Sequence, residues 1–149
     1  MKGNAGLLAA ALLLAACGSY PRDIEGTRDR VEAGRVIRVG LFPGSLAGPD
    51  RAMAAVYLSR LSRATGAAPR IVMGAGESLL ARLEAGELDL VIGEIAADSP
   101  WIDGVAVIEP LSEHRVNDRI IGLSPMARNG ENRWVMLLER EVRNMRSGG

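Results

Sequence analysis

Residues 70–93 read Arg70-Ile-Val-Met-Gly-Ala-Gly-Glu-Ser-Leu-Leu-Ala-Arg-Leu-Glu-Ala-Gly-Glu-Leu-Asp-Leu-Val-Ile-Gly93. Arg70 to Met73 is a short apolar run, and Gly74-Ala75-Gly76 turns the chain out of it. Leu79, Leu80 and Leu83 then line one stripe of a helix predicted from Glu77 to Ala85, closed by Gly86. Leu88 to Gly93 is apolar apart from Asp89, the composition of a strand covered on both faces. Strand, helix and strand in succession form a crossover, the connection that joins parallel strands.

The same pattern precedes it. Val36 to Phe42 is a strand apolar but for Arg38, and Pro43-Gly44 ends it. Asp50 can cap a following helix whose Met53, Val56, Tyr57, Leu61 and Ala64 recur at three- and four-residue steps, with Arg51, Arg60 and Arg63 on its wet side. Gly66 stops that helix and Pro69 opens the next strand. The resulting β-α-β-α-β order predicts a three-layer α/β domain with a mainly parallel central sheet and right-handed crossovers. Thr27 to Ala33 is a short lead-in helix stopped at Gly34. Val105 to Ile108 and Arg119 to Leu123 are further strands, with Ser112 to Asp118 as a polar connector. Asn129-Gly130 is a turn, and Asn132 caps a last helix to Met145 carrying Val135, Leu138, Val142 and Met145 on one face and Trp134 in the core.

At 149 residues the chain suits one domain. Its 18 basic and 18 acidic residues leave no basic excess, which argues against nucleic acid as a partner. One Phe, two Trp and two Tyr supply few rings for stacking bases or sugars. The N-terminus has its own grammar: Lys2, then an apolar run Ala5 to Ala16 of about a dozen residues, too short for a bilayer span, then the only cysteine, Cys17. Leu14-Ala15-Ala16-Cys17 resembles the lipobox of bacterial lipoproteins. That resemblance implies a signal peptide over 1–16 and a diacylglyceryl, N-acylated Cys17 (a palmitate-type anchor). It also implies attachment to the lipid bilayer of the cell envelope, facing the periplasm, with Gly18 favouring the outer membrane in a Gram-negative host. Two or more chains make such an anchor stable. Residues 17–26, with Pro21 and small polar residues, are expected as a tether, and 27–146 as the domain.

Arg30-Val-Glu-Ala-Gly-Arg-Val-Ile-Arg-Val-Gly40, together with Leu80 to Gly93, resembles the opening helix and strand, then the second helix and third strand, of family 3 extracellular solute-binding proteins. The resemblance covers about Thr27 to Pro110 and implies one lobe of a type II periplasmic binding protein, the substrate-binding component of an ABC transporter. The ligand would then lie at the carboxyl ends of the strands, where open α/β sheets also gather loop amides and helix N-termini on physical grounds. Candidate ligand-binding residues are Phe42 and Ser45 after the first strand, Gly76, Glu77 and Ser78 after the second, and Glu94, Asp98, Ser99 and Trp101 after the third.

Two departures from the family are expected. The second lobe, normally inserted after the fourth strand, has no counterpart, because Pro110 leads within a few dozen residues to a terminal helix. The Thr and Arg that grip an amino-acid carboxylate in the family fall on Asp98 and Trp101, neither of which reproduces a bidentate guanidinium. His114, the only histidine, reads as solvated, and no catalytic set, metal site or cofactor motif is expected. Gly74-Ala75-Gly76 lacks the third glycine and the lysine of a phosphate loop. The expected partners are a small-molecule solute and a membrane permease or second envelope protein. The rival reading is an envelope adaptor with no small ligand, docking on a transport-system partner through an exposed apolar patch near Phe42 and Trp101.

Overall fold

The computed structural model describes residues 22–46, 48–96 and 98–148. The signal segment and the first half of the expected tether, Cys17 included, lie outside them. In chain order the elements are α1 (Thr27–Gly34), β1 (Val36–Leu41), α2 (Gly48–Thr65), β2 (Ala68–Met73), α3 (Gly76–Glu84), β3 (Leu90–Ala96), β4 (Val105–Val107), β5 (Ser112–Val116), β6 (Arg119–Arg128) and α4 (Asn132–Ser147). Single 3-10 turns follow β1, at Pro43–Leu46, and precede β4, at Pro100–Ile102.

The sheet runs β2-β1-β3-β6-β4, with β5 also on β6. β1 is parallel to both β2 and β3, as the two crossovers require. β6 returns antiparallel to β3, and its other edge carries β4 on the C-terminal half and β5 on the N-terminal half, both antiparallel. Alternation along the strands divides the apolar residues between two faces. Ile37, Val39, Leu41, Leu90 and Ile92 meet α1, α2 and α4 on one face. Val91 and Met126 meet Leu79, Leu80 and Leu83 of α3 on the other. Gly40 is bare where α3 presses in: a Cβ there would stand 3.0 Å from Leu88 and 3.2 Å from Leu79.

Several expectations need correction. The buried stripe of α2 is Ala54, Tyr57, Leu58, Leu61 and Thr65, whereas Val56 is half exposed. Segment 112–118 is not a connector but strand β5 and a two-residue turn: Asn117 and Asp118 both hold positive φ, the pair of left-handed residues that closes a tight hairpin. Nor does the chain dangle up to residue 26. Asp23 bridges to Glu131, its carboxylate accepts from the backbone N–H of Arg28 and Trp134, and fully buried Glu131 accepts from the N–H of Glu25 and Thr27 at 2.7 Å each. Glu131 thus caps α1 from the far end of the chain. Burial alone would raise its carboxyl, but these bonds hold it below the usual glutamate range.

A second polar lock sits at the N-terminal ends of the parallel strands. Asp89, just before β3, is buried and accepts from the Arg38 side chain at 2.6 and 3.0 Å, from the Arg38 N–H at 2.8 Å and from Arg30 at 2.8 Å. Its carbonyl accepts from the indole Nε1 of fully buried Trp134 at 2.7 Å. This lock leaves the opposite, carboxyl ends of the strands free to form a site.

Candidate functional site

The chain moves from β1 outward to β2 and then back across β1 to β3, so the connections diverge between β1 and β3. Open α/β sheets have their crevice at that point, outside the carboxyl ends of the strands. A cavity of about 510 Å³ lies there, lined by Phe42, Gly76, Glu77, Leu80, Glu94, Ile95, Ala96, Ser99, Pro100, Trp101 and Arg119.

Backbone geometry sets its floor. Phe42 leaves β1 in line with the strand, its N–H donating to the Ile92 carbonyl at 3.1 Å. The ring lies over Gly93 and beside Gly76. A Cβ on Gly93 would fall 2.3 Å from the ring and one on Gly76 2.8 Å from its tip, so both positions must be bare for the ring to lie flat between β3 and the start of α3. On the opposite wall the hydroxyl of Ser99 accepts from the Trp101 N–H at 3.4 Å and caps the 3-10 turn that presents the indole, which is half exposed.

The charged groups come from three directions. Glu77 stands in the first turn of α3, where the helix dipole favours a carboxylate. Glu94 rises from β3, with one oxygen 3.0 Å from where a Gly44 Cβ would be, so the carboxylate is pressed against the turn after β1. Arg119 reaches in from the start of β6 and donates to Asp98 at 2.6 Å. The Arg119 guanidinium in turn holds the exposed Asp98 carboxyl below the usual aspartate range.

Phe42, Gly76, Glu77, Glu94, Ser99 and Trp101 are therefore gathered around one cavity. Asp98 is outside the lining and acts on it by tethering Arg119. Ser45 is fully buried, its hydroxyl 3.5 Å from the Ile92 carbonyl, and Ser78 is exposed on α3; neither lines the cavity. Arg119 was missed because the hairpin that delivers it was read as a connector; the legible signal was Asn117-Asp118. His114, read as solvated, lies on β5 with Nε2 3.5 Å from Glu94 Oε1.

No family model and no curated protein matches this sequence. Solved structures do. The arginine-bound form of domain 1 from TmArgBP superposes with a TM-score of 0.64 at 16% identity, over 78% of this chain and 98% of that one. A mutant of ArgBP from T. maritima gives 0.67 at 10% identity over 83% and 94% of the two chains. The ancestral cationic amino acid solute-binding protein AncCDT-1 gives 0.67 at 10% identity over 83% and 95%. The likeness is one of fold: this chain is built as a periplasmic-binding-protein lobe of type II, the fold expected from the sequence.

Proposed function

We propose that the lobe is a solute-binding component that captures a small organic cation, of the arginine or polyamine kind, in the cavity between Phe42 and Trp101. The observation that carries this is the lining itself: two aromatic rings and two carboxylates, Glu77 and Glu94, face a cavity whose one guanidinium, Arg119, is already engaged by Asp98. A cation over an aromatic face gains about 0.5–2 kcal/mol, and a carboxylate beside it adds charge-assisted hydrogen bonds. An acid would meet the repulsion of Glu77 and Glu94. Similarity of fold to arginine-bound domain 1 of TmArgBP and to a cationic amino acid solute-binding protein supports the same ligand class. So does the fact that the TmArgBP match is to a single domain holding its ligand.

The test is a thermal-shift and calorimetric comparison of arginine, lysine and putrescine against glutamate. Arginine at a hundred times its dissociation constant should add about 2.7 kcal/mol of stability, and Glu77→Gln should weaken it at least fivefold without lowering the melting point of the free protein. Glutamate binding as well as arginine would overturn the cation reading. No binding across the panel would favour the adaptor reading, for which the half-exposed Trp101 and the exposed Ile120 and Val116 supply apolar surface.

We place the protein on the envelope surface through an acylated Cys17, with a permease or second envelope protein as its partner, on the strength of the lipobox-like Leu14 to Cys17. Metabolic labelling with an alkynyl palmitate analogue should mark the wild type and leave Cys17→Ser unlabelled and in the soluble fraction. Equal labelling of both would remove the anchor.

A further inference from the structure

At the edge of the cavity, and sharing Glu94 with its lining, three side chains from three elements converge. Asp50 lies in the first turn of α2, Glu94 on β3 and His114 on β5, and one ligand atom from each lies within 4.8 Å of the others. We infer that Asp50, Glu94 and His114 form a binding site for a divalent transition metal of the Zn²⁺ class.

Chemistry selects the class. An imidazole with two carboxylates is a nitrogen-oxygen set suited to Zn²⁺ and its neighbours, whereas Mg²⁺ and Ca²⁺ favour all-oxygen cages. Three protein ligands leave a position for water or a solute donor, the pattern of open rather than closed zinc sites.

Spacing agrees. Two donors each about 2.1 Å from a tetrahedral metal stand about 3.4 Å apart. His114 Nε2 and Glu94 Oε1 are 3.5 Å apart, longer than a good hydrogen bond but matched to two ligands of one ion.

Charge points the same way. Among the described residues Glu94 has no ion-pair partner within 4.0 Å but His114, and Asp50 has none. Two carboxylates this close repel each other unless a cation lies between them. The ligands are also held. Ser112 donates its hydroxyl to Asp50 Oδ1 at 2.7 Å, the kind of outer partner that fixes a ligating carboxylate, and Gly44 backs the other oxygen of Glu94.

The experiment is isothermal titration of the untagged Cys17→Ser protein with ZnCl₂ at neutral pH, with MgCl₂ as comparison. The Cys17 change removes the chain's one thiol, a competing zinc ligand outside the site. One Zn²⁺ per chain is expected, held more tightly than Mg²⁺. His114→Ala and Asp50→Asn should each weaken it at least the tenfold that even outer-shell changes cost. Both side chains are outside the apolar core, so unchanged melting points of the two variants will show that lost binding is not lost folding. Ser112→Ala should weaken Zn²⁺ by a smaller factor, separating a held ligand from a loose one. Absence of Zn²⁺ binding, affinity unaffected by His114→Ala, or equal affinity for Mg²⁺ would each overturn the site. Glu77→Gln should leave Zn²⁺ binding intact, so failure of the metal site and failure of the solute reading give different results.

Discussion

Trp134→Ala is expected to lower the stability of the domain by about 3–5 kcal/mol, the range for removing a fully buried large aromatic from a packed core. Trp134 has no exposed surface and belongs to the cluster of Val31, Ile37, Leu90 and Val142, where α1, β1, β3 and α4 meet. The loss has two parts that a second variant separates. Trp134→Phe keeps most of the apolar volume but removes the donor to the Asp89 carbonyl, leaving a buried acceptor unmet, which costs about 1–3 kcal/mol. Urea unfolding will read both as lower midpoints, with slopes close to the wild type if the native state stays compact. A Trp134→Ala midpoint within experimental error of wild type would mean that α4 is not part of the core. The effect should stop at stability: Trp134 lies at the N-terminal ends of the strands, away from the cavity, so solute affinity of the folded variant is expected to be unchanged.

That separation between a stabilising end and a binding end was partly legible in the sequence. Leu79, Leu80 and Leu83 could fit only one stripe, and Val36 to Phe42 and Leu88 to Gly93 each carry a single charged residue, so the parallel β2-β1-β3 unit and its crevice followed, although β3 runs on to Ala96 and so carries Glu94 on the strand. The α2 stripe differs from the expected one because the helix is rich in alanine and carries apolar residues on several faces; Met53, Tyr57 and Leu61 do face the core, and only packing chose Ala54 and Leu58 over Val56 and Ala64. β5, Ser-Glu-His-Arg-Val, is polar because it pairs on β6 alone and faces water, and exposed edge strands lack the alternation that marks half-buried ones. Losing β5 hid the turn at Asn117-Asp118, and with it both Arg119 in the cavity and the approach of His114 to Glu94. Ser45 was assigned to the site from its place after β1, yet the 3-10 turn points it inward. Position along the chain found the loops; the local turn geometry decided which side chains face the cavity.

Asp89→Asn is the second change with a large expected effect, and its dependence on pH identifies its cause. The Asp89 side chain is 2% exposed and meets two guanidiniums that are 33% and 43% exposed. Breaking a fully buried pair costs about 3–5 kcal/mol, and the partial solvation of Arg30 and Arg38 reduces this to about 2–3 kcal/mol. Burial pushes the Asp89 carboxyl up, but hydrogen bonds from the Arg38 side chain and backbone and from Arg30 outweigh it, so its pKa in the folded state lies below the ordinary 3.8. A carboxyl depressed by folding contributes stability that is fully present above its unfolded pKa and lost as pH falls through the folded one. The wild type should therefore exceed Asp89→Asn by a constant margin from pH 7 down to about pH 5, and the margin should shrink once the pH drops below about 4. Glu131, also depressed, loses its contribution in the same direction, so the wild-type curve alone cannot separate the two; the difference between wild type and Asp89→Asn isolates Asp89 because Glu131 is common to both. Urea midpoints at pH 7, 5, 4 and 3 supply the measurement. A margin that stays constant down to pH 3 would show that the carboxamide fails through shape or hydrogen-bond count, and that the charge of Asp89 contributes nothing.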